Sequence, residues 1–582
     1  MRQLLSFLCL SLLSVNVFSA AASAADSDYH EQLNLRPLPQ SALLASFNFR
    51  SNTTVAEFEK GNFRFFPRSL GQILQHAGTR ELHLRFSLGR WDAETWGARP
   101  WDGAREGGTG VELWAWLEAN TDDEADHKWL TLTNALSGLF CASLNFIDGT
   151  RTTRPVVSFQ PEGDHASLAN MHLLYGVLPH EVVCTENLTP FLKLLPCKGK
   201  AGIASLLDGH KLFDASWQSM AIDVRPICPT AGGDCVLQIE QTIDMVLDID
   251  RSKRPRGNPI PRPPSGHDLP CDTSKPYHAH DTCFPADHTA NQDWSLSQIF
   301  GKPMKGVPST RSVFVSEGVR ETRNPDGLSQ CFEIPPSTEL EMALPVPEDA
   351  TLPVTITPET PLLYAERSFT GHGQERGGVQ TILRNPSPTT PVDFIYMESL
   401  PWFMRIYLHT MSARLSPTPN STTTTDQTDL IQQVYYRPAL DRFRATQLEV
   451  RMRVPPAATV VLTYDFEKSI LRYTEYPPDA NRGFDVAAAV ITILDPNQEQ
   501  QEGGRRIALR TTSLLCSLPT PDFSMPYNVI IFTSTAIALA FGGMFNILVR
   551  RFVAADEGPE GGLAVLGKLK GRLKGLKGRL KK

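Results

Sequence analysis

Hydrophobic and polar positions alternate along most of this chain, and the alternation predicts strands. Leu82, Leu84, Phe86 and Leu88 alternate with His83, Arg85 and Ser87, the pattern of a half-buried strand. Val111, Leu113, Ala115 and Leu117 alternate with Trp114 and Trp116, so both faces are apolar and a central strand is expected. Residues 45–49 and 236–240 read as two more strands. Two helices interrupt them. One starts near Pro67 and carries Leu70, Ile73 and Leu74 on one face. The other covers about 126–140, with Trp129, Leu132, Leu136 and Leu139 facing inward. Strands mixed with a few helices make residues 25–250 a β-rich α+β or sandwich domain.

Residues 251–265 break the pattern. They are rich in proline and arginine and lack periodicity, so 251–334 is expected to be a linker or insertion. Alternation returns in 335–526. Leu448, Val450, Met452 and Val454 are followed across Pro455-Pro456 by residues 459–466, and a hairpin is expected. Residues 392–397 and 402–408 suggest another pair, and with no long helical period a β-sandwich is expected. The predicted fold is mainly β with some α: two β-sandwich-like lumenal domains followed by one C-terminal transmembrane helix.

That helix is the 527–549 stretch, which holds no charged residue. At about 1.5 Å per residue it spans roughly 34 Å, enough to cross a bilayer. Ser534, Ala538 and Gly542 recur every four residues and form a small-residue stripe suited to packing on another membrane helix. The tail 550–582 holds ten basic and three acidic residues, which predicts a cytosolic tail. Residues 1–24 read as a signal peptide, with an apolar run at 4–13 and Ala22-Ser23-Ala24 as the cleavage site. The expected topology is single-pass type I, with the bulk of the chain lumenal.

The overall net charge is −7 and the tail by itself carries +7, so the body before it is acidic and a poor partner for nucleic acid. Nine cysteines follow the signal segment, on the oxidising side of a membrane, where disulfides form. Cys228 and Cys235 flank a flexible loop and are expected to pair, as are Cys271 and Cys283. Histidines near the latter pair make a zinc site conceivable, but the C-x11-C spacing matches no standard one. An odd count leaves one cysteine for another chain or as a free thiol. Sequons at Asn52, Asn187 and Asn420 are candidate glycosylation sites, with Pro190 close behind Asn187.

No motif supports catalysis, a metal or a cofactor. Residues 371–378 read G-x-G-x-x-x-G without a βαβ context and are expected to be a glycine turn. His180-Glu181-Val182-Val183-Cys184 lacks the second histidine of a zincin, and Pro179 with the β-branched pair argues against the helix that would bring His180 to Cys184. Gly562-x4-Gly567-Lys568 has leucine where a P-loop needs Ser or Thr.

Four blocks, 136–148, 178–190, 473–479 and 518–528, resemble in order those of the PIG-T family, a subunit of the GPI transamidase complex. The resemblance implies a non-catalytic scaffold in the endoplasmic-reticulum membrane. It would stabilise the caspase-like subunit PIG-K, which carries the catalytic Cys-His pair, and help present substrate while GPI anchors are attached to proteins. It implies other membrane subunits as partners, with GPI lipid and proprotein substrates handled by the complex. It also implies that Cys184 forms an interchain disulfide to PIG-K. A stand-alone lumenal glycan- or lipid-binding receptor or chaperone is the alternative.

Overall fold

The computed structural model describes residues 29–63, 65–165, 167–228, 235–253, 294–304, 313–318, 329–333, 343–344, 358–371, 373–416, 430–477, 479–494, 507–520, 524–550 and 570–572. The signal segment, Cys271, Cys283, Asn420, the proline-rich run and most of the basic tail lie outside them.

The first region is one ten-stranded sheet. Its early strands are β1 (Tyr29–Leu38), β2 (Ala42–Thr54), β3 (Thr79–Gly89), β4 (Gly110–Glu118), β5 (Thr152–Thr153), β6 (Met171–Leu178), β7 (Trp217–Ile227) and β8 (Val236–Asp248). A two-stranded ribbon pairs β9 (Trp294–Ser295) with β12 (Ala343–Leu344), and between these lie β10 (Val313–Gly318) and β11 (Ser329–Glu333). The sheet order is β11-β10-β1-β2-β8-β7-β3-β4-β6-β5, antiparallel except where β1 meets β10. Two strands from beyond the proline-rich run therefore return to the first sheet. The boundary expected at residue 250 is not a boundary of the fold, because a pairing between strands so far apart in the chain leaves no local signature.

Helices cover one face of this sheet, so of the two arrangements open to the first region it takes the sheet-and-helix one. Helix Arg68–His76 follows Pro67 and buries Leu70 and Leu74. The second helix runs Asp122–Phe140, a turn longer than expected, because Thr121 Oγ1 caps it by accepting from the Glu124 amide at 3.2 Å. It buries Trp129, Leu132, Leu136 and Phe140 against Leu82, Leu84, Phe86 and Leu113 of β3 and β4. Strand β3 is buried on both faces, not one. Its polar side is covered too: His83 and Arg85 both bond Asp223 of neighbouring β7, at 2.6 Å each.

The second region is a sandwich. Strands β13 (Tyr364–Thr370), β14 (Arg376–Arg384), β15 (Val392–Leu400), β16 (Met404–Leu415), β17 (Ile431–Arg437), β18 (Thr446–Val454), β19 (Thr459–Lys468), β20 (Phe484–Val486), β21 (Val490–Leu494), β22 (Ala508–Arg510) and β23 (Leu514–Cys516) follow in order. One sheet is β13-β14-β19-β16, the other β17-β18-β15-β21-β22, and β20 pairs with β23. Leu383, Val460 and Leu462 of the first sheet share a core with Phe394, Leu448 and Val450 of the second. Both expected hairpins are corrected here. β18 and β19 lie in different sheets, as do β15 and β16. The chain crosses the sandwich at Pro455-Pro456, where Asn385 Nδ2 donates to the Val454 and Pro455 carbonyls at 3.3 and 3.1 Å. The glycine turn does close a true hairpin, β13 with β14, with Gly371 at φ +79.

The described residues up to Pro519 form one unit and those from Thr520 a second. In the second, helix Ser524–Val549 contains the apolar span Tyr527–Val549, 23 residues with mean hydropathy 1.7, long and apolar enough to cross a membrane. Three of its hydroxyls are satisfied inside the helix: Thr533, Ser534 and Thr535 donate to carbonyls three or four residues back.

Candidate functional site: the Cys184 turn

Strand β6 ends at Leu178, and the chain turns through residues 179–183 into helix Thr185–Leu194. Cys184 is the residue before the first helical turn, where a serine or aspartate side chain would ordinarily cap. Asn187 helps close the turn instead. Its Oδ1 accepts from the Cys184 amide at 2.9 Å. Its Nδ2 donates to the carbonyls of Phe140 and Cys141, at 3.0 and 3.3 Å. Those carbonyls end helix Asp122–Phe140 and have no partner of their own within it. Cys141 closes that helix in the left-handed conformation, φ 52. One side chain, 1% exposed, thus staples the end of one helix to the start of the next. Glu181 adds a second tie, accepting from the Ser143 amide at 2.8 Å. Cys184 is held half-buried between these fixed elements; Val182, two residues before it, is 75% exposed, and Cys141, at the end of the stapled helix, is exposed.

The burial of Asn187 corrects its reading as a glycan acceptor. A glycan needs the Nδ2 that this fold spends on the carbonyls of Phe140 and Cys141. Asn52 sits half-buried on β2, its Oδ1 accepting from Gln238 Nε2 on β8 at 3.0 Å. Cys228 and Cys235 are disulfide-bonded.

His180 and Cys184 do not act as a pair. Residues 179–183 are not helical, so positions four apart share no face. His180 lines a separate cavity, where partial burial and the neighbouring Arg151 lower its pKa and favour the neutral imidazole. Among the described residues no group of three or more His, Cys, Asp or Glu side chains is placed to hold a metal ion.

The turn sits on a rigid frame. Trp114, Trp116 and Tyr175, on the sheet face away from the helices, pack against Met397 and Val490 of the sandwich. Glu449 on β18 accepts from the amides of Val156, Val157 and Ser158 at 2.8, 2.9 and 2.7 Å. Gln447 donates to the Arg154 carbonyl at 2.9 Å. Glu112 of β4 pairs with Arg510 of β22 at 2.6 Å, both 1% exposed. Beside them His83 stacks on Trp114 at 4.7 Å and lies between Glu81 and Asp223, at 2.8 and 2.6 Å. Burial disfavours the charge on His83, but the carboxylates of Glu162, Asp223 and Glu81 outweigh it and hold the pKa at about 9. Burial opposes the charge of Glu81 too; bonds from His165 and His83 prevail and hold it at about 2. Sequence reasoning singled out both Cys184 and Asn187, but read the Asn187 sequon as a surface feature and not as the side chain that closes this turn.

The sequence pattern of the Gpi16 subunit family, a GPI transamidase component, matches residues 10–574. The chain is similar to the GPI transamidase component GPI16 of Saccharomyces cerevisiae, 39% identical over 562 residues, 91% of this chain and 89% of that one. It is similar to the GPI transamidase component PIG-T homolog of Schizosaccharomyces pombe, 37% identical over 94% of each chain. To the GPI-anchor transamidase component PIGT of Homo sapiens it is 33% identical over 96% of each.

Proposed function

The chain belongs to the Gpi16 family of GPI transamidase components, and on that premise we propose that it is the non-catalytic scaffolding subunit of the complex. In this reading it stabilises the caspase-like subunit, PIG-K, and helps present substrate. Its body lies in the lumen of the endoplasmic reticulum and Tyr527–Val549 anchors it as a single-pass type I protein. The basic tail supports that orientation. Asn52 and Asn420 are the candidate glycan acceptors, and Cys271 with Cys283 the second candidate internal disulfide.

The observation that carries the reading is the Cys184 turn. A thiol held by a buried staple on a rigid body suits a covalent link to another chain, because little freedom is lost when the bond forms. We assign Cys184 the interchain disulfide to the caspase-like subunit. The bond raises the effective concentration of the partner and supports assembly, not chemistry. On a non-reducing gel the two chains co-migrate, and Cys184→Ser separates them with transamidation lowered but retained. Wild-type chains that run apart without reductant, or a bond that survives Cys184→Ser, refute the assignment.

A further inference from the structure

A cavity of about 380 Å³ opens between the first sheet and the sandwich, lined by Phe146, Arg151, His180, Trp402, Leu471 and Phe484 among others. Its acidic groups have partners. Arg442 Nε bonds Glu475 at 2.5 Å, and Arg482 bonds Asp485 at 3.2 Å. Asp148 Oδ1 accepts from the amide and hydroxyl of Thr150, at 2.9 and 2.6 Å. Arg151 differs. Among the described residues no hydrogen bond or ion pair ends on its guanidinium, which lies 5.9 Å from the centre of the Phe484 ring. Burial works against its charge, and Asp148 offsets this only in part. A partly desolvated guanidinium with five donors and no acceptor of its own is complementary to a carboxylate.

Exposed apolar side chains adjoin the lining. Phe146, which lines the cavity, is 62% exposed, and Phe443, Ile470 and Tyr473, each next in the chain to the lining residues Arg442, Leu471 and Thr474, are 73%, 79% and 50% exposed. The strand connections that carry the last three are tied together: Arg442 donates to the Ile470 carbonyl at 3.5 Å as well as to Glu475. Large apolar side chains held out on a fixed surface around a charged pocket are the anatomy of a protein interface. Phe146 in the lining, with Phe443 and Ile470 beside lining residues, suits a protein partner better than a sugar.

We propose that the cavity receives an aspartate or glutamate side chain of a partner subunit, its carboxylate paired with Arg151 and its apolar neighbours covering Phe146, Phe443 and Ile470. The proposal rests on the reading of this chain as a complex subunit. It adds a non-covalent anchor to the loop that leads, four residues on, from His180 to Cys184.

The test uses the full-length chain, tagged and purified with its complex in mild detergent. Arg151→Glu, and separately Phe443→Ser with Ile470→Ser, each lower recovery of one partner subunit at least five-fold. Arg151→Lys keeps most of the recovery. In that variant a carbodiimide joins the new amine to the partner carboxylate, and mass spectrometry identifies an acidic residue flanked by apolar ones. Unchanged thermal transitions of the purified chain show that folding survives. Full recovery with Arg151→Glu, or no cross-link from Arg151→Lys, overturns the proposal. So does an Arg151→Glu chain that keeps its subunits but loses co-purifying lipid phosphorus, because the occupant is then a phosphate. An unaltered chain that brings down no partner overturns the subunit reading as well.

Discussion

Glu112 and Arg510 stand 398 positions apart and form an ion pair at 2.6 Å with both side chains 1% exposed. The pair joins the first sheet to the last strands of the sandwich. Removing one partner strands a charge in the core, at a cost of about 3–5 kcal/mol. Glu112→Gln and Arg510→Met are each expected to lower the thermal midpoint sharply. The double variant recovers part of the loss, since no buried charge is left alone. Calorimetry on the four proteins measures the coupling.

His83 makes stability depend on alkaline pH. Its folded pKa of about 9 lies above the ordinary 6.5, so the folded state keeps a proton that the unfolded state releases. That stabilisation is complete below about pH 6.5 and is lost as pH rises through about 9. Glu81, held at about 2, acts in the opposite direction: its contribution is present above pH 4.5 and is lost toward pH 2. The thermal midpoint should fall between pH 7 and 9 in the wild type. In His83→Gln that slope should flatten; an unchanged slope assigns it to another group.

Asn187 is expected to act as a staple and to carry no glycan. Asn187→Ala leaves the Cys184 amide and the Phe140 and Cys141 carbonyls without this partner, at a cost of about 2–3 kcal/mol. The glycan count, read by intact mass before and after glycosidase treatment, should not change. A loss of one glycan would place Asn187 on the surface and contradict the bonds described above.

The stripe Ser534, Ala538 and Gly542 suits close helix packing in lipid, where no hydrophobic drive joins helices. Ala538→Leu with Gly542→Leu should leave membrane insertion intact, because the span stays apolar, and lower recovery of the other membrane subunits several-fold. Equal recovery would mean that the stripe faces lipid.

The apolar period of 448–454 was enough to identify β18, and that of 459–466 to identify β19. Period-2 alternation reports burial on one side of a strand, and burial is local. It does not report which sheet the strand joins, so a crossover at Pro455-Pro456 reads in the sequence like a hairpin turn. The two apolar faces of β4 were equally legible, though not their partners: helices on the Leu113 side, the sandwich on the Trp114 side.

By itself the sequence determined the mainly β character, the apolar stretch long enough to cross a membrane, the Cys228–Cys235 bond and the candidacy of Cys184, because each follows from a short window of side chains or from a resemblance carried by contiguous blocks. Only the tertiary structure decided that β10 joins the first sheet beside β1, that Asn187 is buried, and that Arg151 faces a cavity with no hydrogen-bond or ion-pair partner for its guanidinium among the described residues. These depend on chain segments up to hundreds of residues apart meeting in space. A sequon or a lone arginine looks the same in sequence whether it meets water, a carbonyl or an empty pocket.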